Sequence, residues 1–170
     1  MKRPDTTECA PFYQNYINEL SEGDVLEILE SQLDETLRLL QDVDEEQAEF
    51  RYAPGKWSIK EILGHLIDAE RLFTYRAMCF ARNDLGPLPN MDENAYVKFG
   101  KFDERTLSQL LEEYRYVRLA SIAFFRGIDD EALVRRGTAN ENQFTVRSFP
   151  FIIAGHERHH LNVLKARYLK

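Results

Sequence analysis

Apolar residues recur at three- and four-residue spacing over four long stretches of this chain, which is the spacing of amphipathic helices. The first stretch covers residues 24–42, where valine, isoleucine and leucine fall on one helical face. The other three cover residues 58–82, 103–126 and 146–169. Strand signals are weak throughout, and the best of them lies at residues 143–146. The pattern therefore predicts an all-α fold built as a four-helix bundle.

Several helix ends carry recognisable signals. Ser58 and Glu61 form an S-x-x-E capping box, in which each side chain can satisfy one free amide of the first helical turn. Asp103 is the predicted cap of the third helix, and Gly127 is its predicted stop. Pro150 falls near the start of the fourth helix, where a missing amide hydrogen has little effect.

The segments between the helices are long for a simple bundle. Residues 43–57, 83–102 and 128–145 each exceed the usual connection between two helices. Long segments permit a crossover to a distant helix instead of a turn to the adjacent one. There is no internal repeat, low-complexity run or dividing linker, so residues 1–170 are expected to form a single domain.

Composition and charge narrow the range of partners. The 22 basic residues are outnumbered by 29 acidic ones, which gives a net charge of −7 and disfavours binding to nucleic acid. No apolar run approaches the roughly 20 residues that span a bilayer, and the N-terminal segment lacks the apolar stretch of a signal peptide. Cys9 and Cys79 are far apart and match no disulfide framework. We therefore expect a cytoplasmic protein that contacts neither nucleic acid nor membrane.

Three of the four histidines lie within five residues of the fourth predicted helix. His156 and His160 are four residues apart, so both rings project from one face and could bind the same ion. A single histidine on such a face is more often a packed core residue. Two adjacent imidazoles buried without partners would be unfavourable, however, because each carries a polar nitrogen, and a metal ion would satisfy both.

His65 is the predicted third ligand, since it lies on or beside the apolar face of the second helix. Three neutral imidazoles that leave further coordination positions open are typical of a catalytic metal site. We therefore predict one divalent ion per chain, bound by His65, His156 and His160. His159 is rotated by about 100° from His160 on the helix, so we expect it to lie beside the site or at the surface.

Other interpretations of these residues remain open. Residues 156–160 also read H-E-x-x-H, the metalloprotease signature, but no His, Glu or Asp follows His160 as a third ligand. Several carboxylates could orient the imidazoles, or could be capping and solvent-exposed groups: Glu61, Asp68, Glu70 and Glu157. Three further residues could either line a pocket or belong to ordinary packing: Tyr75, Arg76 and Tyr96.

Two segments of the chain resemble the DinB/YfiT-like superfamily of metalloenzymes. They are APGKWSIKEILGHLIDAERLFTYRA at residues 53–77 and IIAGHERHHLNVLKARYL at residues 152–169. The resemblance implies a four-helix bundle with a crossover connection. It also implies a three-histidine site for nickel, zinc or another divalent ion, with His65, His156 and His160 at the ligand positions.

The resemblance extends to assembly and reaction. It implies a homodimer, and four aromatic residues exceed what a thin bundle obviously needs: Phe73, Phe80, Phe124 and Phe125. Some relatives use low-molecular-weight thiols such as bacillithiol or mycothiol as co-substrates. We therefore favour a thiol-dependent S-transferase that acts on small electrophiles. The alternatives are a metal-dependent hydrolase and a metal-binding stress protein without turnover.

Overall fold

A computed structural model describes residues 1–169 and confirms the all-α class. The helices, in chain order, are α1 (Pro11–Asn18), α2 (Val25–Leu40), α3 (Glu45–Ala48), α4 (Ile59–Ala81), α5 (Glu93–Gly100), the 3-10 turn Phe102–Glu104, α6 (Leu107–Arg126), α7 (Asp130–Leu133) and α8 (Ser148–Arg167). A hairpin of two short strands, β1 (Arg136–Ala139) and β2 (Asn142–Thr145), lies between α7 and α8. The four predicted helices correspond to α2, α4, α6 and α8.

The capping box predicted for α4 is present. The hydroxyl of Ser58 accepts a hydrogen bond from the amide of Glu61 at 3.1 Å. The Glu61 carboxylate in turn accepts one from the amide of Ser58 at 2.8 Å. Two amides that the helix leaves free are therefore satisfied, and α4 begins one residue after the predicted start.

The predicted start of the third long helix was wrong. α6 begins at Leu107, and its cap is Thr106, which forms a second capping box with Gln109. Asp103 lies in the preceding 3-10 turn, where its carboxylate accepts hydrogen bonds from the Ser58 hydroxyl and the Arg51 guanidinium, both at 2.6 Å. The acidic residue therefore connects two segments of the chain and caps no helix. The predicted stop at Gly127 is confirmed.

Two pairs of consecutive long helices, α2 with α4 and α6 with α8, lie at opposite corners of the bundle. α4 packs against α6 and α8, and α2 packs against the same two helices. The segment between α2 and α4 therefore crosses the end of the bundle where α4 begins. The segment between α6 and α8 crosses the opposite end, where α8 begins beside the last turn of α4. This arrangement confirms the predicted crossover and explains why the connections are long.

The segments outside the four long helices cover one side of the bundle. α1 packs on α8 at Gly155, where an added Cβ atom would lie 2.3 Å from the carbonyl oxygen of Tyr16. Glu8, just before α1, joins the hairpin, since its carbonyl oxygen accepts a hydrogen bond from the amide of Thr145 at 2.9 Å. The amide of Leu88 binds the carbonyl oxygen of Thr138 at 2.9 Å, which ties the segment after α4 to β1.

A buried polar layer divides the apolar core of the bundle into two clusters. One cluster contains Phe73, Phe125 and Ile152, and the other contains Leu66 and Leu161. Each long helix contributes buried polar side chains to the layer between them: Gln32, Thr36, His65, Glu70, Arg118, His156 and Glu157. The candidate metal ligands therefore belong to a polar layer at mid-height of the bundle.

The aromatic residues that suggested a dimer surface lie inside the protein. Phe73, Phe80 and Phe125 are buried in the core, and Phe124 is half-buried against it. These four residues fill the bundle and are not evidence for a partner surface, so the homodimer stays a prediction that rests on the family resemblance. Within residues 1–169, each helix is too short or too polar to cross a membrane.

Candidate metal centre

The three predicted ligand side chains meet where α4 packs against α8. The Nε2 atom of His156 lies 3.1 Å from Nε2 of His65 and 3.1 Å from Nε2 of His160. One nitrogen from each ring falls within 4.8 Å of the others. The helical periodicity explains this arrangement, because His156 and His160 are one turn apart on α8 and His65 faces them from the adjacent helix.

Burial keeps all three rings in the neutral form. It lowers the pKa of His65 to about 4 and the pKa of His160 to about 3, and for His160 the nearby histidines contribute as well. Burial, followed by the charges of His160, His65 and His159, places the pKa of His156 well below its usual value. Neutral imidazole is the form that offers a lone pair to a metal ion.

The contacts between the rings fit a divalent cation. His156 Nε2 faces two other Nε2 atoms, and a neutral ring carries one proton, so hydrogen bonding cannot satisfy both contacts fully. A cation at the centre would accept a lone pair from each of the three rings. The Nδ1 atom of His65 is buried and has no hydrogen-bond partner in residues 1–169, and the ring packs instead against Trp57 with 4.8 Å between ring centroids.

No cysteine, aspartate or glutamate of the described chain joins the three histidines in this group. His159 lies outside it, with Nδ1 3.7 Å from the Glu19 carboxylate and its ring 5.3 Å from that of Tyr16. The structure therefore places His159 outside the ligand group, as its rotation away from His160 on the helix predicted.

Glu157 follows a predicted ligand in sequence but faces away from the three rings. Its carboxylate accepts hydrogen bonds from the hydroxyls of Thr36, at 2.6 Å, and Tyr114. It also forms an ion pair with Arg118 at 2.7 Å. Because this carboxylate is engaged by Thr36, Tyr114 and Arg118, the geometry gives no support to a protease that would use it as a general base.

The other carboxylates considered from the sequence also have partners away from the rings. Glu70 binds the Arg118 guanidinium through both oxygens, at 2.9 and 2.8 Å. Glu61 completes the capping box of α4. Asp68 lies 3.8 Å from Arg71, and burial raises its pKa.

Arg118 connects the polar layer to all of the long helices. It lies on α6 and binds Glu70 on α4 and Glu157 on α8. It also donates a hydrogen bond to the carbonyl oxygen of Leu29 on α2 at 3.1 Å. This buried network holds α4 and α8 together directly beside the candidate metal ligands.

Two cavities open next to the three histidines. The first, of about 560 Å³, reaches His65 and His156. The second, of about 290 Å³, reaches His160 from the side of Trp57. A small molecule could therefore approach the ring nitrogens from two directions.

The family assignment follows from the sequence of the whole bundle. The sequence profile of the DinB superfamily matches residues 28–164, which span all four long helices. The chain belongs to the DinB superfamily. No curated protein sequence matches this DinB-superfamily chain significantly.

A solved structure shares the fold of this DinB-superfamily protein. It is that of YfiT from Bacillus subtilis, described as a probable metal-dependent hydrolase with an unusual four-helix bundle topology. The two structures align with a TM-score of 0.71 at 16% sequence identity, over 97% of this chain and 90% of YfiT. At that identity the likeness establishes the architecture alone.

Sequence reasoning left the roles of three residues near the site of this DinB-superfamily protein open. Arg76 is buried and lines the first cavity, whereas Tyr75 and Tyr96 are exposed and line neither cavity. All three sit close to apolar residues in sequence, so periodicity alone could not separate cavity lining from packing. The segment after α4 covers Arg76, and its Pro89 carbonyl oxygen accepts a hydrogen bond from that side chain, which lines the cavity.

Proposed function

We propose that this DinB-superfamily protein is a metal-dependent enzyme that binds one divalent ion, nickel or zinc, through His65, His156 and His160. The observation that carries the proposal is the convergence of three neutral imidazole nitrogens beside a cavity large enough for a small molecule. Imidazole nitrogen suits both metals. A closed structural site would use four protein ligands, whereas three leave room for substrate.

Aromatic side chains around the centre pack against the ligand rings. The aromatic rings of Tyr16 and Phe73 pack edge-on against His156, with centroid distances of 5.5 and 6.1 Å. Trp57 packs against His65 in a tilted arrangement, with 4.8 Å between the ring centroids. When bound, the divalent ion supplies Lewis acidity, which lowers the pKa of a thiol or water that it holds.

The reaction we favour is the transfer of a small thiol to an electrophilic carbon. The thiol loses its proton to solvent, its sulfur forms a bond to carbon, and the leaving group departs with the electron pair. The carboxylates of Glu70 and Glu157 are bound to Arg118 and are poorly placed to accept a proton at the ring nitrogens. A thiol co-substrate supplies its own nucleophile and needs no such base once its pKa is lowered.

Hydrolysis of an ester or amide is the second candidate. It is supported by the shared fold with YfiT, which is described as a probable metal-dependent hydrolase. Here water would take the place of the thiol, and its oxygen would end up on the acyl carbon of the product. A non-catalytic metal-binding protein is the remaining alternative.

Cobalt substitution distinguishes these functions. Under thiol transfer, adding a small thiol to the cobalt-loaded protein should change its visible spectrum, because sulfur enters the coordination sphere. Conjugation of a chromogenic electrophile should then require His65, His156 and His160, while His159→Ala retains activity. A hydrolase would turn over an ester or amide without thiol and show no spectral response to it. If neither activity is found with any of several metals, the non-catalytic metal-binding protein becomes the better interpretation.

The proposed compartment is the cytoplasm. Cys9 and Cys79 are both buried and form no disulfide with one another. Free, buried thiols are typical of proteins kept in reducing compartments, where small thiols are also available as co-substrates.

A further inference from the structure

Arg76 lines the same cavity as the candidate metal ligands. It lies on α4 eleven residues after His65, about three helical turns, so the two side chains project from the same side of the helix. Ala69 lies between them and also lines the cavity, where its small side chain leaves space. One helix therefore places a metal ligand and a cation along a single cavity.

The guanidinium of Arg76 is buried but incompletely satisfied. Only 1% of the residue is exposed; the guanidinium donates a hydrogen bond to the carbonyl oxygen of Pro89, and the neutral hydroxyl of Tyr13 lies beside it. Its Nε atom has no hydrogen-bond partner, and the guanidinium makes no ion pair with a carboxylate of residues 1–169. The other buried cations differ, since Arg118 binds Glu70 and Glu157, and Lys60 binds two glutamates.

A buried cation without an anion is unfavourable, and arginine does not escape by losing its proton. Two acidic residues lie on the rim of the cavity, but both are exposed to solvent. Asp92 is engaged as the cap of α5, where it accepts a hydrogen bond from the amide of Ala95 at 3.0 Å. Glu93 forms no ion pair with Arg76. No carboxylate of residues 1–169 therefore complements Arg76, which leaves the guanidinium available to an anion from outside the chain.

Aromatic and aliphatic side chains make up a large part of the cavity wall, beside its polar groups. These side chains are those of Phe12, Tyr13, Tyr16, Leu72, Phe73 and Met91. An apolar or aromatic body fits this wall, and a single carboxylate fits the planar, two-pronged donor pattern of arginine. A doubly charged phosphate group would be repelled more strongly by Asp92 and Glu93 on the rim.

We propose that Arg76 binds the carboxylate of a small organic acid whose apolar body fills the cavity. The reacting group of this acid then faces the three histidines, and that last step alone rests on the proposed function. The substrate class is thus a monocarboxylic acid with an apolar or aromatic body. Arg76 acts as a substrate-binding residue for it.

The test uses hexanoate and hexanol, which share an apolar chain and differ in the charged group. Chelator-treated, ¹⁵N-labelled protein is titrated with each probe while the Nε–H resonance of Arg76 is followed by NMR. That resonance is assigned by its absence from the spectrum of Arg76→Gln. Hexanoate should shift it and hexanol should not. Hexyl phosphate is the third probe, and it should bind more weakly than hexanoate.

Three variants complete the test. Arg76→Gln should weaken hexanoate binding at least tenfold, followed through amide resonances near the cavity. Arg76→Lys, which keeps the charge but loses the planar donor pair, should bind with intermediate affinity. Arg82→Gln removes an exposed arginine from the end of the same helix and should bind as the unchanged protein does. Thermal unfolding confirms that each variant is folded.

Equal affinity for hexanoate and hexanol, or unchanged affinity in Arg76→Gln, would overturn the proposal. Tighter binding of hexyl phosphate would overturn the assignment of a carboxylate. Because the titrations use metal-free protein, they do not depend on the metal-dependent reaction. Carboxylate binding without turnover would contradict the proposed function alone, and turnover without carboxylate selectivity would contradict the role of Arg76 alone.

Discussion

His156 occupies the middle of the candidate metal centre, with its Nε2 atom 3.1 Å from each of the other two. We expect one divalent ion per chain, and alanine at His65, His156 or His160 should weaken its binding at least about a hundredfold. Loss of a residue that merely supports a ligand already weakens metal binding by about ten- to a hundredfold. Competition with a chromophoric chelator measures the affinities.

His159→Ala is the matched control for these substitutions. It removes an imidazole from the same turn of α8, but that ring lies outside the convergent group. Its metal affinity should stay within about threefold of the unchanged protein. Loss of binding in this variant alone would show that the ligands are assigned wrongly.

Single-residue roles were predictable from the sequence where helix periodicity determines them. The four-residue spacing of His156 and His160 places both rings on one face whatever surrounds the helix. Glu157 is different, because its partners Thr36, Tyr114 and Arg118 come from distant parts of the chain. Their meeting depends on tertiary packing, which no local pattern encodes.

Gly155 allows α1 to lie directly on α8. Gly155→Ala would place a Cβ atom 2.3 Å from the carbonyl oxygen of Tyr16, and a backbone oxygen can move away only if α1 moves. We expect a loss of about 1–3 kcal/mol in the free energy of unfolding, the usual range for overpacking. Urea denaturation measures it.

Gly127→Ala is the control for that substitution. A Cβ atom at Gly127 would be 3.6 Å from its nearest neighbour, an ordinary contact, and the φ angle of −90° suits alanine. Its unfolding free energy should change by less than about 0.5 kcal/mol. An equal loss in both variants would show that the close packing of α1 is not the cause.

The segment before α1 is held by an ion pair that responds to pH. The hydrogen bond from Arg147, with help from Thr145, lowers the pKa of Glu8 to about 2 from 4.5. The unfolded chain therefore binds this proton more readily than the folded one, and the stability that Glu8 contributes is lost as the pH falls from about 4.5 towards 2.

Glu8→Gln isolates this contribution. At pH 7 the variant should be less stable than the unchanged protein by about 2 kcal/mol, because a buried hydrogen bond to a charged group is lost. The difference should shrink as the pH approaches 2. Chemical denaturation over that range measures it, and a difference independent of pH would contradict the assignment to the carboxylate.

The long elements were predicted well and the short ones were not. α2, α4 and α8 begin and end within two residues of the predicted bounds, because apolar periodicity and caps are local signals. The start of α6 was missed because Asp103 and Thr106 are both good caps, and tertiary contacts of Asp103 decide between them. The four-residue helices α3 and α7 are too short to show periodicity.

The bundle as a whole should fold without the metal ion. Its two apolar clusters are built from side chains of all four long helices and do not include the three imidazoles. We expect a helical circular dichroism spectrum after chelation. Adding metal at a hundred times its dissociation constant should then stabilise the protein by about 2.7 kcal/mol. An unfolded chain after chelation would make the site structural.

The assembly in solution is a second property of the whole molecule. On the basis of the family resemblance we expect a homodimer, although the aromatic residues once expected at its surface are in the core. Multi-angle light scattering at micromolar concentration should give about twice the 20.0 kDa mass of one chain. A mass of one chain across the concentration range would exclude the dimer.

The position of Arg118 has a consequence for how the chain selects its topology. Leucine and phenylalanine surfaces tolerate many alternative partners, so the apolar faces alone would permit bundles in which all successive helices sit side by side. Arg118 restricts the packing further, because its guanidinium must contact Glu70, Glu157 and the carbonyl oxygen of Leu29 at the same time. A misassembled bundle would bury this charge unsatisfied, at a cost of several kcal/mol. A single guanidinium thereby discriminates against competing folds of the same sequence.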